Sequence, residues 1–183
     1  MKVEQTKIAG VVVIHSEPFK DEYGFFNRIF CQKELEVIRA DIVIAQINYS
    51  MTRQKGTIRG MHFQNPPFAE RKIVRSIKGI IFDVAVDLRK DSPTFLQWHG
   101  EVLSADNMKA LVIPEGCAHG FQSMEDDIEM IYLHTQFYSK QSEGAIQYDE
   151  PRINIKWPLD HTVISEKDIS YPFLLNSYKG IVL

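Results

Sequence analysis

Sulfur is scarce in this chain: two cysteines, Cys31 and Cys117, stand far apart in 183 residues and at no metal-ligand spacing. A disulfide framework and a cysteine-based zinc site are therefore excluded, and two free thiols in a reducing compartment are expected. Residues 1–7 have no apolar core of signal-peptide length, and nowhere is there a run of the roughly twenty apolar residues that a membrane span needs. The expectation is a soluble, cytoplasmic protein with no membrane partner. Charge of one sign is missing too: the net charge is -3 and acids and bases are interspersed. Without a basic stripe there is no electrostatic footprint of a nucleic-acid binder, although local basic residues can still hold a small anion. Internal repeats and low-complexity segments are absent, and 183 residues suit one domain with a substantial core, so residues 1–183 are read as a single domain.

What the chain does have is many short β-rich runs with turn residues between them. Residues 11–15 form a β-branched run closed by Ser16-Glu17-Pro18, and Asp21-Glu22-Tyr23-Gly24 reads as a turn before residues 25–30. One or two helical turns fit residues 31–39. A strand is expected over residues 42–50, its second half alternating so that Gln46 and Asn48 share a face. Those two amides either bond a ligand or solvate a sheet face. Lys78-Gly79 separates two β-rich runs as a hairpin turn does, and Lys90-Asp91-Ser92-Pro93 ends the second. Further strands are expected over 97–103, 110–113, 121–124 and 130–137, with turns at 104–107 and 114–116. Near-regular short strands without a strong 3.6-residue period indicate an all-β sandwich or barrel. The tail from Glu150, punctuated by Pro and Asp, is expected to wrap the barrel, with a short helix around residues 165–170.

The chemistry concentrates in Gly56-Thr57-Ile58-Arg59-Gly60-Met61-His62-Phe63-Gln64. A lone histidine in a strand is more often a hydrogen-bonded structural residue than a catalyst, but His62 has company. Lys72 follows in one apolar strand and Asp83 in the next, and buried charge is costly unless paired. A polar pocket lined by strands accounts for all three, and such pockets are where titrating groups with functions collect. Strict alternation puts Arg59 on the face opposite His62, so both serve one pocket only if the strand bulges, for which Gly60 is the obvious place.

At Arg59-Gly60-Met61-His62-Phe63-Gln64, more fully across residues 82–95 and 113–121, and on through Tyr132, Ser142-Glu143-Gly144, Ile155-Lys156-Trp157-Pro158 and Ser165-Glu166-Lys167-Asp168, the chain resembles the dTDP-4-dehydrorhamnose 3,5-epimerase family. The resemblance runs nearly end to end. It implies a cupin-type double-stranded β-helix (jelly roll) with short peripheral helices, and a homodimer that exchanges N-terminal strands. It also implies an isomerase acting in deoxysugar and polysaccharide biosynthesis, inverting C3 and/or C5 beside the 4-keto group of a nucleotide-diphosphate 4-keto-6-deoxy sugar. By this resemblance His62 is the base, Asp168 the carboxylate orienting it, Lys72 the cation for the enolate oxygen and Tyr132 the acid on the opposite face. Arg59, Gln46, Asn48, His119 and Glu143 match positions holding the diphosphate and sugar, and Asp83 a supporting pocket carboxylate. Such an inversion needs a base, an acid and a cation, and no cofactor or metal.

The chain departs from the family pattern at three places. Tyr23 stands where an Arg of an Asp-x-Arg-Gly motif usually serves the nucleotide end of the substrate, and Arg28 stands where many members carry Glu. Glu70-Arg71 precedes Lys72 where Gln-Gly is common. These departures leave a CDP- or GDP-linked 4-keto sugar open as substrate. A metal-dependent cupin needs several converging His, commonly His-x-His on one strand, and His62 stands alone in its strand. A sugar ketoisomerase uses a different residue set. A non-catalytic sugar-binding cupin is the option from another class, and it has no use for a base, an acid and an enolate cation together.

Overall fold

β-branched and aromatic runs interrupted by Gly, Pro, Asp and Asn favour short strands with tight connections. The computed structural model, which describes residues 1–183, has thirteen such strands and two one-turn helices. They are β1 (Lys2–Gln5), β2 (Val12–His15), β3 (Phe19–Asp21), β4 (Gly24–Phe26), α1 (Gln32–Leu35), β5 (Gln46–Thr52), β6 (Ile58–Gln64), β7 (Lys72–Lys78), β8 (Ile80–Asp87), β9 (Trp98–Ser104), β10 (Lys109–Ile113), β11 (Cys117–Ser123), β12 (Ile128–His134), β13 (Glu143–Ala145) and α2 (Glu166–Ile169). A six-stranded sheet runs β1-β2-β10-β7-β12-β5 and a five-stranded sheet β13-β6-β11-β8-β9, all pairs antiparallel. The hairpin β3–β4 stands apart as a two-stranded sheet. No helix is long and apolar enough to cross a membrane.

The central strands of the large sheets, β7, β8, β10 and β11, are buried on both faces, which explains why β8 reads as a nearly continuous apolar run. Between the sheets lie Val74, Leu111 and Met130 of the first and Ile81, Ala85 and Phe121 of the second. Burying a side chain the size of Phe121 contributes about 1.5 to 3 kcal/mol. The outer face of the first sheet, with Val12, Ile73, Val112 and Leu133, is covered by Leu35 of α1 and by Ile42. The outer face of the second, with Met61, Val84, Val86 and Ala118, is covered by Ile146, Ile153, Ile155 and Ile181, so the tail does wrap the sandwich. Glu150 pins that tail, its carboxylate accepting from the Arg152 and Leu174 backbone N–H groups.

Two local expectations need correction. The connection at Lys78-Gly79 is a corner and not a hairpin turn: β7 pairs with β10 and β12 in one sheet, β8 with β11 and β9 in the other. Gly79 turns the corner at φ +73°, and a Cβ there would stand 2.7 Å from Ile128 Cγ2. Alternation along two consecutive runs is the same whether they pair with each other or face each other across a core. The strand expected from residue 42 begins instead at Gln46, because Ile42 is drawn out of the ladder into the outer cluster with Leu35. The turn after β8 fares as expected. Buried Asp87 accepts from the backbone N–H and guanidinium of Arg89 and from the hydroxyls of Ser92 and Thr94. Burial alone would raise its carboxyl pKa, but these donors outweigh it and hold it at about 2.

Candidate active site

The site begins with the bulge. His119 pairs with His62 and Phe121 with Arg59, so β6 advances three residues (59 to 62) where β11 advances two (119 to 121). The extra residue falls where Gly60, at φ +131°, passes β11 so closely that a Cβ would lie 2.5 Å from Gly120 Cα and 2.8 Å from the His119 carbonyl oxygen. Only glycine permits that approach. As a result Arg59 and His62, which strict alternation would separate, line one cavity of about 370 Å³. The second sheet lends it Arg59, His62, His119 and Phe121; the first lends Asn48 and Ser50 from β5, Lys72 from β7, and Tyr132 and His134 from β12.

Three histidine–carboxylate pairs organise this space. His62 Nε2 lies 2.6 Å from Asp168 Oδ1, which leaves Nδ1 as the free ring nitrogen. Asp168 reaches it from α2, whose first turn is capped by Ser165 Oγ accepting from the Asp168 N–H at 3.0 Å, and its second oxygen accepts from the Gly60 N–H at 3.4 Å. The cap and the bulge thus aim carboxylate and imidazole at each other. Burial works to raise the Asp168 carboxyl pKa, but the bond to His62 and the imidazole charge outweigh it and hold the group below the ordinary range. His119 Nε2 lies 2.7 Å from Asp83 Oδ1; complete burial pushes this carboxyl up, and His119 and Lys72 offset it only in part. His134 Nδ1 lies 2.8 Å from Glu70 Oε2, and Glu70 Oε1 is 3.3 Å from Lys72 Nζ.

On the opposite wall, burial pushes the Tyr132 phenol up to about 12, more than the Ser50 hydroxyl donating to it at 3.2 Å draws it down. The phenol is therefore protonated at any neutral pH. Its ring packs edge-on to His119, with centroids 6.0 Å apart, and stacks on His134 at 6.2 Å.

The other residues singled out from sequence are placed as follows. Gln46 and Asn48 share a face as alternation required, Gln46 donating to Asn48 Oδ1 at 3.3 Å, but only Asn48 lines the cavity. Glu143, on β13, takes the Tyr138 hydroxyl at 3.1 Å and pairs with Lys167 of α2. Tyr23 and Arg28 are not brought to the cavity within one chain: Tyr23 sits 89% exposed in the β3–β4 turn, and Arg28 pairs with Glu34. Ser50, Phe121 and His134 line the cavity and had no role assigned from sequence, and Glu70, noted there only as a departure from the family pattern, borders it through Lys72 and His134. The signal was present for two of them, since Ser50 follows Asn48 and His134 follows Tyr132 by two residues within one strand, the spacing that returns a strand to the same face.

Comparison with known proteins agrees with this geometry. The family model described as dTDP-4-dehydrorhamnose 3,5-epimerase matches residues 5–176. A dTDP-4-dehydrorhamnose 3,5-epimerase of Shigella flexneri is 44% identical over 171 residues, 93% of this chain and 94% of the relative. One of Methanothermobacter thermautotrophicus is 40% identical over 167 residues, 90% of this chain and 89% of the relative. Among solved structures, the dTDP-6-deoxy-D-glucose-3,5-epimerase of Legionella pneumophila in complex with dTDP-4-keto-L-rhamnose superposes with a TM-score of 0.92 at 34% identity, covering 100% of this chain and 98% of that one. The Bacillus anthracis dTDP-4-dehydrorhamnose 3,5-epimerase with TDP and pyrophosphate bound gives 0.91 at 38% identity, covering 94% and 99%. With the cupin-type jelly roll, the paired imidazoles and a match over nearly its whole length, this chain belongs to the dTDP-4-dehydrorhamnose 3,5-epimerase family.

Proposed function

We propose that residues 1–183 act as one epimerase domain that inverts C3 and/or C5 of a dTDP-linked 4-keto-6-deoxy sugar. The observation that carries this reading is the division of acid and base between the two sheets: His62 with Asp168 on one wall, a protonated Tyr132 on the other. Protons on carbons flanking a ketone are acidic because the resulting anion spreads onto the carbonyl oxygen. His62 takes such a proton through Nδ1, and Asp168 stabilises the imidazolium that forms. Lys72 meets the negative charge on the enolate oxygen. Tyr132 returns a proton from the far side, which inverts the carbon. Arg59, exposed at the cavity, suits the diphosphate through its planar fork; Asn48 and His119 on the cavity wall hold the sugar, joined by Gln46, bonded to Asn48, and by Glu143 from outside the lining, and Asp83 fixes His119. Both steps are proton transfers, so the reaction asks for no electron acceptor.

Mass spectrometry in deuterium oxide with dTDP-, CDP- and GDP-linked 4-keto-6-deoxy sugars tests this. Deuterium is expected in the dTDP sugar, one label for single inversion and two for both carbons. A protein that labels none of the three sugars is not this epimerase, and labelling of the CDP or GDP sugar alone would move the specificity to another base, as Tyr23 in place of Arg allows.

The same reading includes a cytoplasmic homodimer. Phe19 (69% exposed), Phe25 (60%) and Phe26 (71%) stand on a two-stranded hairpin that joins neither large sheet, and such a hairpin is marginally stable alone. Packed on a second copy, the hairpin would bury these rings and bring Tyr23 beside that copy's substrate. Sedimentation equilibrium is expected to give twice the chain mass at micromolar concentration; a monomer there would remove the dimer from the proposal.

A further inference from the structure

Glu70, one of the departures from the family pattern before Lys72, has no part in the scheme above, yet it lies against the cavity. Its side chain is only 7% exposed and bridges two cavity residues: Oε1 to Lys72 Nζ at 3.3 Å and Oε2 to His134 Nδ1 at 2.8 Å. His134 extends the chain, with Nε2 3.3 Å from Asn48 Nδ2, and Asn48 Oδ1 in turn accepts from Gln46. An amide nitrogen only donates, so the His134 Nε2 facing it accepts and the ring proton sits on Nδ1, donated to Glu70. Each member thereby fixes the hydrogen-bonding sense of the next. Burial works to raise the Glu70 carboxyl pKa, but the His134 bond and the Lys72 charge outweigh it, so the carboxylate is ionised at neutral pH.

We propose that Glu70 and His134 are positioning residues of the reaction, tying the Lys72 ammonium and the Asn48 amide into one unit at the place where the enolate oxygen forms. The proposal rests on the epimerase reading. A lysine stem is long and flexible, and its charge is worth most in catalysis when it need not reorganise as the negative charge develops. A buried carboxylate beside it holds the ammonium in place and weakens its pull on the enolate, so the trade favours catalysis only if placement matters more than raw charge. His134, stacked on Tyr132, makes the same unit a support for the proton donor on its own wall of the cavity. If the Glu70–His134 pair served stability alone, removing its charge would lower the melting temperature and leave turnover per folded molecule unchanged.

Deuterium entry into the dTDP 4-keto sugar decides between these, with kcat and KM measured for wild type, Glu70→Gln, Lys72→Met and the double variant. Glu70→Gln is expected to lower kcat about tenfold to a hundredfold, the scale of a displaced catalytic group, with KM within about twofold. In the Lys72→Met background it is expected to cause no further loss, because two residues acting as one unit are not additive. His134→Phe, which keeps the stacked ring and loses both hydrogen bonds, is expected to show the same kcat loss and carries the test if Glu70→Gln does not fold. Wild-type kcat in Glu70→Gln, or the same loss with and without Lys72, overturns the proposal while the epimerase reading stands. A wild type that labels no 4-keto sugar overturns both.

Discussion

His62→Ala is expected to lower deuterium entry into the 4-keto sugar by about a hundred- to ten-thousand-fold, the usual contribution of a positioned general base. Binding of dTDP should change little, because the diphosphate contact is assigned to Arg59 and the two side chains share only the cavity. Asp168→Ala is expected to behave alike. Abstraction leaves a positive charge on the ring, and the Asp168 carboxylate 2.6 Å from Nε2, itself held below its ordinary pKa, is the anion placed to meet it. Removing that carboxylate leaves the ring unoriented and the imidazolium unpaired, and it takes away the acceptor for the Gly60 N–H. Calorimetry with dTDP beside the exchange assay separates lost catalysis from lost binding. Near-normal exchange in His62→Ala would mean that another group takes the proton.

Tyr132→Phe is the second large effect, and its signature differs from a general loss of activity. The ring stays between His119 and His134, while the donor hydroxyl goes. Proton abstraction by His62 does not need that hydroxyl, so label should still enter from the His62 face. Formation of inverted product should fall by about a hundredfold or more, since the only protonated acid assigned to the far wall is gone. Burial holds the phenol at about 12, so in wild type its ionisation plays no part in the pH profile through the neutral range. Following label by mass and configuration by NMR in one reaction gives both quantities. An unchanged yield of epimer in Tyr132→Phe would reduce Tyr132 to a packing element beside His119.

Short-range chemistry was determined by the sequence itself: Asp21 closes the β3–β4 turn by accepting from Tyr23 and Gly24, Ser165 caps α2, and Asp87 organises the turn that follows it. Each acts on groups within a few residues, so residue type and spacing suffice to read it. The likeness of whole motifs to the epimerase family likewise lay in the sequence and named His62, Lys72, Tyr132 and Asp168. Tertiary structure alone decided that β6 bulges at Gly60 and so puts Arg59 on the same side as His62, because the demand comes from β11, about sixty residues on in the chain. It also decided that Lys78-Gly79 is a corner, that Tyr23 and Arg28 stay away from the cavity of their own chain, and that Glu70, just ahead of β7, meets His134 at the end of β12. Alternation tells which residues share a face but not which strand lies alongside, since pairing is set by how two sheets bury their apolar faces together.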